Sequence, residues 1–180
     1  MLAQLNLRGH YRLQHFRDGK LIHEEVFKNG ITNQGKLFLL DSMFNGATQI
    51  STWYLGLIDL SGFTALAADD IYDDINQVGN DWDEFDDYTD PGNADSAVTR
   101  PEWTKGAAAS NQVTNASTVD FDITDTGTVK GVFLAGGPEA DTKGDNTTAV
   151  NKLFGTALFG TGDRAVLASD QLRITYTVTS

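Results

Sequence analysis

The chain has 180 residues and a formal net charge of −12, with 40% hydrophobic residues and no cysteine. That length suits one domain with a core large enough to stand without staples, and the missing cysteines exclude disulfides, thiolate metal sites and cysteine nucleophiles. An acidic chain is repelled by phosphate backbones, so nucleic acid is not an expected ligand; no run approaches the ~20 apolar residues that span a bilayer, so no membrane is expected either.

The charge is uneven. Up to Lys36 the bases Arg8, Arg12, Arg17, Lys20, Lys28 and Lys36 outnumber the acids Asp18, Glu24 and Glu25, so the excess of acid lies entirely beyond Lys36. Met1–Leu5 shows no basic segment ahead of an apolar run, and no secretory leader is expected. Leu5–Arg8 and Tyr11–Gln14 alternate in polarity, and Leu21–Lys28 comes after Asp18-Gly19. Asp-Gly between two such runs is a strong hairpin signal, because both central residues of a type I′ turn need φ > 0. A turn centred there sets Tyr11 opposite Val26 and His15 opposite Ile22.

Residues 33–44 carry the one convincing helix. Thr32 or Asn33 can cap its first amides, and Gly46 suits the left-handed position past its end. Leu37, Leu40 and Phe44 share a face with Met43 beside them, so this face is expected to plug one side of a sheet assembly. Thr52–Ile58 is a short aromatic and apolar run that reads as a buried strand.

From Ala65 to about Trp103 the character changes to a long, acidic and aromatic excursion, with a short helical turn expected at Ala67–Ile75. Loops of this length inside a domain are commonly functional. The aromatics Trp82, Phe85, Tyr88 and Trp103 are too apolar for a free loop, so burial against the chain itself or a neighbour is expected. Lys105–Ser117 reads as a connection or edge strand. Val119–Ile123, Val129–Ala135, Lys152–Phe159 and Gln171–Thr179 are the remaining strand candidates, the last with Leu172, Ile174, Tyr176 and Val178 on one face. The pattern predicts a mainly β protein: an antiparallel, jelly-roll-like β-sandwich in a single domain over 1–180, with one main helix after the N-terminal hairpin.

Motifs for chemistry are sparse. His10, His15 and His23 all fall in the predicted hairpin, not mutually opposite in that register, and zinc would need further ligands. The carboxylates Asp69, Asp70, Asp73, Asp74, Asp81, Asp83, Glu84, Asp86, Asp87 and Asp90 are dense enough to raise Ca²⁺ as a ligand, but the EF-hand pattern fails at Phe85 and lacks its glycine. The same holds for Asp141–Asp145. Asp83, Glu84 and Asp86 beside Trp82, Phe85 and Tyr88 also resemble the carboxylates and aromatics of a sugar-cleaving site. A carbohydrate-binding sandwich with Trp82, Tyr88 and Trp103 stacking on sugar is a further alternative. No nucleophile elbow or phosphate-binding loop occurs. Asn115-Ala116-Ser117 and Asn146-Thr147-Thr148 match the glycosylation sequon. No catalytic, cofactor or metal residue is assigned, and the protein is not expected to be an enzyme.

Asn29–Gly35 leading a short helix, then Trp53–Ile58, an acidic tract with Trp82, Thr99–Thr104 with Pro101 and Trp103, and Leu167–Leu172 before a β terminus form an ordered set. In that order the chain resembles small virion structural proteins of tailed bacteriophages. The resemblance implies a capsid decoration or cement protein, or alternatively a tail-associated one. It would be made in the host cytoplasm, carried on the virion, and bound to the major capsid protein as a homo-oligomer, a trimer by the three-fold positions of capsid lattices. Arg8, Arg12 and Arg17 are the candidate docking charges, with Trp82, Phe85, Tyr88 and Trp103 as further interface candidates.

Overall fold

The computed structural model describes residues 7–77, 79, 81–93, 97–144 and 150–180. The expected strand start at Leu5-Asn6, the sequon at Asn146 and the end of Asp141–Asp145 lie outside them. In chain order the elements are β1 (Arg8–Arg17), β2 (Lys20–Lys28), β3 (Gly30–Ile31), α1 (Asn33–Phe44) and β4 (Trp53–Asp59). A 3-10 turn at Tyr72–Asp74 precedes β5 (Glu84–Phe85), β6 (Tyr88–Thr89), β7 (Gln112–Thr114) and β8 (Val119–Ile123). The chain closes with β9 (Gly127–Gly136), β10 (Lys152–Leu158), β11 (Arg164–Val166) and β12 (Gln171–Thr179).

The strands form two antiparallel sheets. The first runs β2-β1-β12-β8-β6 with β7 added along β12, and the second runs β3-β10-β9-β4-β5 with β11 added along β9. The first sheet alternates as a half-buried sheet must: Tyr11 and Leu13 on β1, Phe121 on β8, and Leu172, Ile174 and Tyr176 on β12 point inward and are fully buried. They meet Leu55, Leu57, Val132, Leu134 and Phe154 of the second sheet in one cluster, which makes the molecule a β-sandwich.

The second sheet is covered on both faces. On its outer face Ile58, Phe133, Ala135 and Leu153 pack with Tyr72, Ile75 and Trp82 of the acidic excursion. That is why Trp53–Ile58 and Val129–Ala135 lack alternation in the sequence: each face of the strand meets protein. Gly56 lies opposite Phe133, and a Cβ at Gly56 would fall 2.1 Å from the Phe133 ring, so the glycine makes room for that ring. The stretch around Tyr72, Ile75 and Trp82 is thus a third layer, while β5 and β6 of the excursion join the two sheets. Trp82, Phe85, Tyr88 and Trp103 are all buried in their own chain.

Two expectations about the N-terminal elements need correction. Asp18 (φ 50°) and Gly19 (φ 71°) do form the turn. A bulge between His15 and Phe16 in the pairing then shifts the register by one, so Tyr11 faces Phe27, not Val26, and His15 faces His23, not Ile22. The shift keeps Phe27 inward, stacked on Tyr11 at 5.5 Å. It also makes two of the three histidines cross-strand neighbours, contrary to expectation.

Helix α1 spans the expected residues, with the Thr32 hydroxyl capping Gly35 N at 3.0 Å. It buries a different face. Gly35, Phe38, Leu39 and Ser42 turn toward the sandwich, while Leu37, Leu40, Met43 and Phe44 point outward. Apolar residues surround the helix nearly all the way round, so packing rather than periodicity decides the face. The deciding contact is Gly35, where a Cβ would lie 2.5 Å from the Phe154 carbonyl oxygen. Gln34 Oε1 adds to it by accepting the amides of Leu153 (2.6 Å) and Tyr72 (3.1 Å), tying helix, β10 and excursion together. Gly35→Ala is therefore expected to destabilise the protein by about 1–3 kcal/mol, although alanine at an unconstrained helix site gains up to ~1 kcal/mol. Urea denaturation of the two proteins measures the sign.

Candidate functional site

Charged and polar groups inside the molecule are built into clamps. The largest joins the excursion to the sandwich. Arg100 Nε and Nη2 donate to the two Glu84 oxygens at 2.8 Å each, with both side chains fully buried. Arg100 Nη1 donates to Tyr72 Oη (2.8 Å) and the Ala140 carbonyl (2.9 Å), while Glu84 accepts the Tyr88 hydroxyl (3.0 Å) and Gly144 N (2.9 Å). The guanidinium also sits 5.2 Å from the Phe133 ring centroid. Burial opposes the Arg100 charge, but the attraction and hydrogen bonds of Glu84 outweigh it and hold its pKa above the ordinary value. The same burial, reinforced by Glu84, pushes the Tyr88 hydroxyl well up.

A second clamp closes the hairpin onto the turn before β12. Asp170 accepts Arg17 Nε (2.8 Å) and Nη2 (2.6 Å), His15 Nε2 (2.9 Å) and Leu167 N (2.9 Å). Burial alone would raise the Asp170 pKa; Arg17, the Leu167 amide and His15 together bring it far below the usual carboxylate range. His15 goes the other way from most paired histidines. Burial lowers its pKa by more than Asp170 raises it, and its Nε2, facing a carboxylate that can only accept, is the donor.

The third clamp bridges the sheets: Glu25 on β2 accepts Thr161 N (2.9 Å) and the Thr161 hydroxyl (3.1 Å), with His23 Nε2 3.1 Å away. So the facing histidines turn to different carboxylates. Among the described residues no group of three or more His, Asp or Glu side chains converges to hold a metal.

The acidic excursion uses its carboxylates locally. Asp70 accepts Trp82 Nε1 and Ala67 N, both at 3.0 Å, Asp74 caps the 3-10 turn through Ile71 N at 2.8 Å, and Asp81 accepts the Thr64 hydroxyl at 2.6 Å. Glu84, a candidate sugar-cleaving carboxylate by sequence, is buried against Arg100. The expected sugar-stacking aromatics are in the core: Trp82 is 5.5 Å from Phe133, Tyr88 4.9 Å from Phe121 and Trp103 5.2 Å from Tyr176. Phe85 packs there as well. Trp82, Phe85 and Tyr88 offer no ring face to a partner, and Trp103 only helps to wall the cavity beside α1. Asn115 is equally engaged: its Oδ1 accepts Trp103 Nε1 and Tyr176 N at 2.7 Å each, and its Nδ2, the atom a glycan would take, donates to the Ile174 carbonyl at 3.2 Å.

The arginine candidates separate. Arg17 is locked onto Asp170, and Arg12, although exposed, is held bidentate by Glu24 at 3.0 Å. Arg8 is exposed at the start of β1 and forms no ion pair among the described residues. A docking face built on these three charges has lost most of its charge to its own chain.

What remains for a partner is apolar. On α1 Leu37 is 62% exposed, Leu40 52%, Met43 66% and Phe44 74%. Edge strand β2 also exposes Leu21, Ile22 and Val26, but it is guarded by Lys20, Lys28 and the bulge, common protections of a free edge. On α1 the exposed charges beside the stripe are Lys36 and Asp41, and four large apolar side chains remain exposed with them. Beside it lies a cavity of about 430 Å³ walled by Phe38, Leu39, Ile50, Trp53, Val113 and Val178, with Met43 and Lys105 at its rim.

No protein-family model, curated protein or solved structure matches the chain. Among the described residues no helix is long and apolar enough to cross a membrane.

The α1 stripe is visible in the sequence as a periodic set, and by periodicity it reads as inward-facing. The Gly35, Phe38, Leu39, Ser42 set has the same spacing, and its two small residues are the signal that favours it, since small side chains let a helix approach a sheet closely. The Arg100–Glu84 pair has no local signal: the partners lie 16 residues apart in a tract where charge reads as solvated loop.

Proposed function

We propose that the protein is a non-enzymatic structural component of a virus particle, a decoration or cement protein that binds the major capsid protein at the outside of a phage head. The observation that carries this reading is the exposed apolar stripe of α1. A soluble monomer gains nothing from four large apolar side chains along one exposed helix face, whereas an assembly protein buries them at a contact. The inner polar groups fit the same role, because their clamps fix a rigid body. The sequence resemblance to small virion proteins of tailed phages supplies the kind of assembly. In the assembled particle the stripe is covered by neighbours, the protein acts as a homo-oligomer on the lattice, and the work done is mechanical: each copy bridges subunits that would separate if the shell expanded.

The test is reconstitution. Shells assembled from the major capsid protein encoded with this chain are incubated with the purified protein, and occupancy is read by cryo-electron microscopy. Wild type is expected to load. Leu37→Ser/Leu40→Ser should lose most of its occupancy, while Arg12→Gln, which breaks a pair already satisfied within the chain, should load as wild type. Undiminished loading of the leucine variant, or no loading of wild type, overturns the reading.

A further inference from the structure

We infer that the end of α1 and the cavity beside it are two halves of one contact, in which Phe44 of one copy enters the cavity of the next copy. This inference rests on the assembly reading above and names a partner for the C-terminal part of the α1 stripe: a second copy of this chain.

Phe44 is the most exposed large apolar side chain of the described residues at 74%, and it ends the helix, so nothing of its own chain shields it. The cavity is about 430 Å³, enough for an aromatic side chain with part of the backbone that carries it, and its walls are aromatic and aliphatic. Met43 belongs to both features, lining the cavity next to the residue that projects away from it. Projection and recess are therefore contiguous on one surface but point in different directions. A side chain cannot fold back into the recess beside its own helix; it can enter that of a neighbour.

A polar detail fits the same occupant. Asp41, exposed one turn before Phe44, travels with the projection, and Lys105 stands at the rim that receives it. The two charges are opposite in sign. Because the projecting and receiving surfaces differ, the contact is head-to-tail, and its repetition makes a ring where the rotation closes and an open filament where it does not.

Sedimentation of the purified chain and two variants tests this. Phe44→Ser removes the projection; Val113→Trp fills the recess from its far wall. Wild type is expected to sediment as an oligomer and each variant as a single chain, with circular dichroism unchanged. An equal mixture of the two variants retains one working pair of surfaces and is expected to form a one-to-one dimer that grows no further, an outcome that misfolded variants cannot give. A monomeric wild type, an oligomer that survives either change, or a mixture that stays monomeric overturns the inference. The two failures are separable. A monomer that still loads onto capsid shells sinks the self-contact and leaves the decoration reading standing, with the shell protein as occupant. An oligomer that never loads does the reverse.

Discussion

Arg100→Met should cost about 3–5 kcal/mol of folding stability, the range for removing one partner of a buried ion pair. The size comes from the groups left stranded. Glu84 keeps the Tyr88 hydroxyl and Gly144 N but loses both guanidinium bonds, while Tyr72 and the Ala140 carbonyl lose the bonds that Arg100 donates. Glu84→Gln should be costly in turn, since it leaves a buried guanidinium facing a neutral amide. The double variant Arg100→Met/Glu84→Gln should be more stable than the sum of the singles implies, because no lone charge remains inside. Guanidinium denaturation of the four proteins gives the coupling. Additive losses below about 1 kcal/mol each would mean that the pair contributes no more than a surface one. The loss should also be local in onset: Trp82 and Phe85, which lie against the second sheet, should gain amide hydrogen exchange before β1 and β12 of the first sheet do.

That clamp shows what the sequence could and could not disclose. The strands of the first sheet were legible because one of their faces is core and the other solvent, as in Gln171–Thr179. The buried second sheet was legible as apolar runs bounded by turns. The span of α1 came from Thr32 and Gly46, which are local signals. Its buried face did not, because Leu37, Leu40 and Phe44 outweigh Gly35 and Ser42 in any apolar count, although backbone approach at Phe154 decides the packing. The hairpin turn was legible and its register was not, since one bulge moves every partner beyond it. The acidic excursion was legible in part. Its aromatics were expected to be buried and are, but Glu84 read as one carboxylate of a solvated loop because its partner Arg100 is distant in sequence. Buried ion pairs and bulges are tertiary choices, and no window of residues contains them.

Asp170→Asn should show a pH-dependent loss, and the sign can be worked out from the clamp. The folded-state pKa of Asp170 is depressed, so its carboxylate contributes stability that is fully present above the unfolded value, about 3.9. That contribution fades as pH falls through the unfolded value toward the folded one, because the unfolded chain then binds a proton that the native clamp resists. Asparagine has no such charge at any pH. Near pH 7 the variant should therefore be less stable by about 3 kcal/mol, the lower end for a broken buried pair, since Arg17 is partly exposed and can recover water. Below about pH 4 the wild type loses its advantage and the two stability curves should converge. His15 adds a separate slope of its own. Its pKa is lowered in the fold, so the unfolded chain takes up a proton first, and wild-type stability should begin to decline as pH drops below about 6.5. Thermal unfolding monitored from pH 7.5 to pH 3 separates the two: the His15 slope persists in Asp170→Asn, and the slope below about pH 4 shrinks. A gap between the proteins that stays constant across the range would show that the Asp170 carboxylate acts as a neutral hydrogen-bond acceptor rather than as the charge that binds Arg17.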